Sequence, residues 1–252
     1  MSDAHLGFAT RDVERSLIRF FRHLPGRARS LVINGDLFEF WFEWRRVMPR
    51  GTFRVLAALA ELRDAGVEVL MIAGNHDCWG GEILRDDVGI DFRVDPWEGT
   101  LAGWRARIEH GDGLRGKPDR GYRALRRVLR HPLSIRLFRW LHPDLGSALA
   151  TRSSHASRTY AARDGGAGLR EAATHRLEGS DLELLIYGHS HVAELRRLGA
   201  RGAVYANAGS WLDEPTFLRV TPAKVELLRW DDRSDEGVNL HALDRVAEKA
   251  LA

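Results

Sequence analysis

The chain has 252 residues, 44% of them hydrophobic and 29% charged, enough for one α/β domain with a sizeable core and too apolar for a disordered chain. Thirty-eight Lys and Arg against 35 Asp and Glu leave a formal net charge of only +3, and no run approaches the ~20 apolar residues of a membrane span. The single cysteine, Cys78, excludes an internal disulfide and fits a reducing compartment; it reads as small buried filler.

The chain opens on Asp3-Ala4-His5, a carboxylate and an imidazole on the same side of an extended segment. Only Met1 and Ser2 precede Asp3, fewer residues than even a short strand takes. A frayed, poorly held Asp3 is therefore expected, with the natural reading frame starting upstream and with Asp3 and His5 binding an ion weakly. Thr10 to Leu24 has helical apolar spacing and ends at Pro25-Gly26. Leu31-Val32-Ile33 reads as a buried strand, after which Asn34-Gly35-Asp36 places a carboxylate past the strand's carboxyl end. The aromatics Phe38, Phe40, Trp41, Phe42 and Trp44 are either core packing or a wall beside a ligand. Thr52 to Ala65 is a second amphipathic helix closed by Gly66. The strand Val67 to Ala73 then leads into Gly74-Asn75-His76-Asp77, giving a β-α-β rhythm and parallel pairing.

A third strand, Trp104 to Glu109, ends in His110-Gly111-Asp112. Two basic helices follow. Gly121 to His131 carries Arg123, Arg126, Arg127 and Arg130, and Leu133 to Leu141 carries Arg136 and Arg139 beside Phe138 and Trp140. Further helices are expected over Leu145 to Ala162 and Leu169 to Leu177. No nucleic-acid module appears, and the aromatics sit at core-like spacings, so nucleic acid is not the expected partner. A fourth strand, Leu182 to Tyr187, ends in Gly188-His189-Ser190-His191. Strands are expected at Glu194 to Leu198, Ala203 to Ala206, Phe217 to Thr221 and Val225 to Trp230, and a helix over Val238 to Leu251. Oxygen and imidazole groups recurring at strand ends suit borderline divalent ions: Mn, Fe, Co, Ni or Zn.

This ordered set resembles the calcineurin-like metallophosphoesterase superfamily over nearly the whole chain. The resemblance implies an α/β fold of the metallophosphoesterase type, a four-layer α-β-β-α sandwich, with 1–252 as a single domain and a helical cap inserted at about 115–180. It implies two divalent ions, with Mn first and Fe, Zn, Co or Ni as alternatives. Metal 1 would take Asp3, His5, Asp36 and His191. Metal 2 would take Asp36, Asn75, His110 and His189, with Asp36 bridging. His76 would be catalytic near the leaving oxygen, oriented by Asp77; Asp112 would likewise orient a histidine. Asn207-Ala208-Gly209-Ser210-Trp211 looks like the superfamily's closing turn.

Four phrases resemble more narrowly the UDP-2,3-diacylglucosamine diphosphatases of lipid A synthesis: Gly35 to Glu43, His110 to Leu114, Arg120 to Arg123 and Leu141 to Gly146, continued by Ser153 to Arg158. That family implies hydrolysis of a pyrophosphate in a lipid-linked nucleotide sugar, giving lipid X and UMP, with the acyl chains clasped by the cap. Arg123, Phe138 and Trp140 would then bind substrate, and the protein would be cytoplasmic, touching the anionic inner membrane. Two features depart from the best-known branch. His76 stands where that branch has arginine, and Arg115-Gly116-Lys117-Pro118-Asp119 replaces an acidic run. The rival readings are a metallophosphodiesterase or phosphatase acting on nucleotides or nucleic acid, and a non-catalytic scaffold of the same fold.

Overall fold

Strands β1 (Ser30–Asn34) and β2 (Glu68–Ile72) pair in parallel, and β3 (Asp91–Arg93) extends the sheet beyond β2. Both longer strands carry the same burial pattern, and each ends in a motif whose side chains carry the chemistry. The computed structural model describes residues 1–149 and 164–246. Helices α1 (Arg11–His23) and α2 (Phe53–Asp64) cover one face of this sheet. Thr10 caps α1 by accepting the Val13 N–H at 3.4 Å. The helix then buries Leu17, Phe20 and Phe21 against Ile33, Leu59 and Trp230.

The second sheet has the order β4-β5-β6-β8-β7: β4 (Trp97–Leu101), β5 (Trp104–Ile108), β6 (Leu184–Tyr187), β7 (Ala193–Leu198) and β8 (Ala203–Ala208). Pairings β5·β6 and β6·β8 are parallel. Ile72, Val32 and Leu70 of the first sheet pack on Trp104, Ile108, Ile186 and Val204 of the second. Alternate residues of the second sheet, Leu185, Tyr187 and Tyr205, face the other way onto a helix, Ala167–Leu177. The result is the four-layer α-β-β-α arrangement of the expected α/β fold.

Between β5 and β6 the chain forms α3 (Arg120–Leu129), α4 (Pro132–Phe138), α5 (143–149) and α6 (Ala167–Leu177). α6 belongs to the sheet layer through Leu169, Ala173 and Leu177, although it lies within the 115–180 span expected as a cap. Residues 150–162 of the expected fourth helix, and Ser153 to Arg158, lie outside the described residues.

A third sheet, β9 (Thr216–Val220), β10 (Lys224–Asp231) and β11 (Glu236–Asp244), closes the chain. The helix expected from Val238 is instead β11, antiparallel to β10. Leu240, Leu243 and Val246 mimic helical spacing, but a tight turn after Asp231 folds the chain back onto the open edge of β10, and the ladder decides. Asp3 is not frayed either. The Met1 ammonium donates to the Val32 carbonyl at 3.1 Å, Asn34 N donates to Met1 O at 2.9 Å, and Asp3 N donates to Gly35 O at 3.1 Å. Three residues thus ladder onto the end of β1, and Asp3 is fully buried.

Glu226 on β10 lies across from Arg219 on β9. Arg219 donates to it at 2.7 Å and Lys224 stands at 2.8 Å, which together hold its carboxyl down at about 2. A depressed folded-state value contributes stability above the unfolded carboxylate range, and that contribution disappears as pH falls toward 2. Glu226→Gln is expected to lower stability at pH 7 by the modest amount of a part-exposed pair, about 1 kcal/mol or less, seen as a lower Tm. The gap from wild type should close in thermal melts taken between pH 4.5 and 2.

Candidate metal centre

Six of the seven candidate ligands gather in two clusters at the carboxyl ends of β1, β5 and β6, and Asn75 follows β2 in the adjacent loop. Asp3, His5 and His191 bring ligand atoms within 4.8 Å of one another, and so do Asp36, His110 and His189. A third grouping joins His5 to Glu39 and His76. Asp36 links the clusters. Its Oδ1 accepts the His76 N–H at 2.9 Å, and its Oδ2 lies 3.1 Å from His110 Nε2 and 3.9 Å from His76 Nε2. Asn75 sits between Gly74 and His76, in the loop that closes over this carboxylate. The approach is so close that a Cβ at Gly74 would run into the Asp36 carboxylate, and one at Gly35 into the His110 ring.

Three of the four candidate histidines are held by the far nitrogen. His5 Nδ1 meets Glu39 Oε2 at 3.1 Å, His191 Nδ1 meets Asp213 Oδ2 at 3.1 Å, and His110 Nδ1 donates to Asn34 O at 2.8 Å. Those acceptors require hydrogen on Nδ1, which leaves Nε2 bare in the neutral ring. Yet His5 Nε2 and His191 Nε2 face each other at 3.3 Å. Asp3 Oδ1, buried and without a hydrogen bond, stands 3.4 Å from the same His191 nitrogen. With both rings neutral, three lone-pair donors converge with no hydrogen between them, a set that fits a cation. Two nitrogens about 2.1 Å from one ion in neighbouring positions are separated by roughly 3–3.4 Å.

The electrostatics agree. Burial alone would lower His110, but the Asp36 carboxylate outweighs it and raises the ring well above its ordinary range. Burial is likewise outweighed at His191, where Asp3 and Asp213 push the ring up to about 9. At Asp36, burial is overcome by His110 and His76, and the carboxyl falls well below its usual value. His189, buried and repelled by His110, drops to about 4 and is neutral at pH 7, the form a metal needs. The Asp36 and Asp3 carboxylates thus favour positive charge at His110 and His191, while His189 is left neutral.

Five of these residues have left-handed backbones: Asp3 (φ 55°), His5 (46°), Asp36 (52°), His189 (62°) and His191 (58°). Asp and His tolerate that region better than most residues, but it is still unfavourable.

Three assignments change. Asp77 does not orient His76: its carboxylate accepts Gly74 N at 2.7 Å and Leu37 N at 2.8 Å, clamping the β1 and β2 end loops together. Burial and the nearby Asp36 charge push it up to about 7. His76 is oriented instead by the Glu39 carbonyl, 3.0 Å from Nδ1. Asp112 orients no histidine among the described contacts, because its Oδ2 takes the Tyr122 hydroxyl at 2.7 Å and Arg130 at 3.3 Å, with Arg126 at 3.4 Å, from α3 and the residue that caps it. Arg123 is spent on the carbonyls of Gly113, Arg115 and Gly116, so it holds a loop rather than a substrate.

Phe138 packs in an aromatic cluster with Phe40, Phe42 and Trp44, while Trp140 is 84% exposed. Phe38 and Trp41 lie in the main core, so the aromatic stretch is packing rather than a wall. Glu39 and Asp213 were missed by sequence reasoning. A charge inside the apolar run 37–42 was the available signal for Glu39; Asp213 carried none. A cleft of about 1580 Å³ opens between the sheets toward the amino-terminal ends of β1 and β2 and is lined by none of the seven candidate ligands.

The sequence profile of a family described as calcineurin-like phosphoesterases matches residues 1–193. The chain belongs to that family. Its relatives include a "UDP-2,3-diacylglucosamine hydrolase" of Porphyromonas gingivalis, 32% identical over 76% of this chain and 81% of its own length. Another protein of that name, from Pseudomonas fluorescens, is 28% identical over 92% of this chain and 94% of its own. Among solved structures, a predicted phosphoesterase of Streptococcus pneumoniae TIGR4 aligns over 97% of this chain and 95% of its own at 17% identity, with a TM-score of 0.43. As a calcineurin-like phosphoesterase the chain is a hydrolase, and the family implies divalent metal ions, for which the two Asp/His clusters supply fitting donors.

Proposed function

We propose that this chain uses two divalent ions, Mn for preference, to hydrolyse the pyrophosphate of UDP-2,3-diacylglucosamine to lipid X and UMP. The observation that carries the two-ion part is the convergence of His5 Nε2, His191 Nε2 and Asp3 Oδ1 beside a second cluster that shares the Asp36 loop. In this reading Asp3, His5, Asp36 and His191 hold one ion. Asp36, Asn75, His110 and His189 hold the other. Such ions supply activation of the attacking water and neutralise the phosphorus oxygens. The chain's own part is orientation. Glu39 and the Asn34 carbonyl fix the rings of His5 and His110, and the Asp77 clamp fixes the loops. His76, with Nδ1 committed to the Glu39 carbonyl, has Nε2 available to hold a proton toward a substrate oxygen.

The substrate is carried over from the named relatives and supported by the surface of the cap, which we assign to α3–α5. Leu125, Val128, Leu133, Leu137, Trp140, Leu145 and Leu149 are all at least half exposed there, interleaved with exposed Arg127, Arg136 and Arg139. An apolar face with that much basic charge suits acyl chains and an anionic membrane surface. No helix among the described residues is long and apolar enough to cross a membrane. The test is release of UMP from UDP-2,3-diacylglucosamine, compared with bis(p-nitrophenyl) phosphate, with Mn²⁺ added. Marked preference for the diacyl substrate is expected. Equal or better turnover of the small diester would overturn the lipid reading in favour of a general phosphodiesterase.

A further inference from the structure

We propose that Asp213 is a positioning residue: it fixes which nitrogen of His191 carries hydrogen and so keeps His191 Nε2 bare toward the point it shares with His5 Nε2 and Asp3 Oδ1. The inference rests on the metal reading above. Asp213 lies in the turn after β8, and its Oδ2 is the acceptor at His191 Nδ1, 3.1 Å away. That turn also grips the opposite side of the cluster. Leu212 N donates to the Asp3 carbonyl at 3.1 Å, Ser210 Oγ donates to it at 3.2 Å, and Trp211 N donates to Ser2 O at 3.2 Å. Asp213 N in turn reaches Ser210 Oγ at 3.3 Å. Four consecutive residues therefore set the backbone of one ligand and the ring of another.

Glu39 does the same work for His5 but is buried, so its loss would disturb packing as well. The Asp213 side chain is 63% exposed, and as a mere surface pair it would add little to stability. Its removal therefore separates positioning from folding. Without it, the neutral ring is free to carry hydrogen on Nε2, which blocks the lone pair that faces His5.

The experiment is Mn²⁺ titration of the full chain, comparing wild type with Asp213→Ala and Asp213→Asn, alongside melts of the metal-free proteins. Asp213→Ala is expected to weaken one of two bound Mn²⁺ ions by about 10–100-fold. Asp213→Asn, whose amide oxygen accepts the same Nδ1–H, should recover most of that loss. Metal-free Tm should match in all three. Wild-type Mn²⁺ affinity in Asp213→Ala, or a lowered metal-free Tm with both ions weakened alike, overturns the inference. A wild type that binds a single ion, weakened in Asp213→Ala and restored in Asp213→Asn, upholds the inference and removes the two-ion reading instead.

Discussion

Asp36→Ala should reduce hydrolysis by more than the roughly 10²–10³-fold typical of losing one preorganised electrostatic contact, in a chain that still folds. The size follows from position. The Asp36 carboxylate is 1% exposed and, among the described residues, is the only one that approaches both His110 and His76, at 3.1 and 3.9 Å, while accepting the His76 backbone N–H. Truncation removes the group that both ions would share and the acceptor that seats the 74–77 loop. Folding should survive because Asp77 independently ties Gly74 N to Leu37 N, holding the two loops in register. Turnover at saturating Mn²⁺, near-ultraviolet circular dichroism and bound-metal content check this. Wild-type turnover in a folded Asp36→Ala chain would sink the bridging role.

The cap offers a second large effect, and the structure separates two aromatics that lie two residues apart. Phe138 is 4.7 Å from the Phe42 ring and 6.2 Å from that of Trp44, and it plugs the seam where α4 meets the core. Phe138→Ser should therefore lower stability toward the lower end of the ~3–5 kcal/mol of a large-to-small aromatic truncation, because the side chain is only half-buried. Its activity on all substrates should fall together as the cap loosens. Trp140 projects into solvent, so Trp140→Ser should leave Tm unchanged. If its indole is covered by acyl chains, losing that burial raises KM for the diacyl substrate by about 10-fold or more, with bis(p-nitrophenyl) phosphate unaffected. Equal KM changes on both substrates would remove Trp140 from lipid recognition.

The candidate centre was partly legible because four of its five motifs obey a local rule: each follows a strand, and small residues let it turn. That is why Asp36, Asn75, His110 and His189 could be read from short strings, and why β1, β2, β5 and β6 fell near their expected bounds. What holds those ligands was not legible, since the partners come from far along the chain or from backbone. Asp213 reaches His191 from 22 residues away, and the carbonyl of Glu39, not the carboxylate of Asp77, seats His76. Asp77 and Asp112 look like histidine partners in a linear string; in space their carboxylates face N–H, hydroxyl and guanidinium groups that satisfy them elsewhere. β3 and β4 went unread because Asp91–Arg93 is too short and Trp97–Leu101 too exposed to carry an alternating signal. β11 was misread because Leu240, Leu243 and Val246 fit a helical period as well as a strand, and only the edge of β10 breaks the tie.

The left-handed backbones at the centre bear on how this chain could adapt to heat. At about 1–2 kcal/mol apiece, five such residues carry a burden comparable with the ~5–15 kcal/mol of net stability that an ordinary domain possesses. Random mutagenesis screened only for survival at high temperature, in the presence of a chelator, should accordingly enrich glycine at Asp3, His5, Asp36, His189 and His191. Those same clones would have lost candidate ligand side chains. A lineage that keeps catalysis must find its heat resistance in layers remote from the centre, such as the α1–α2 face or the hairpin of β10 and β11, because the positions richest in recoverable stability are the ones it cannot change.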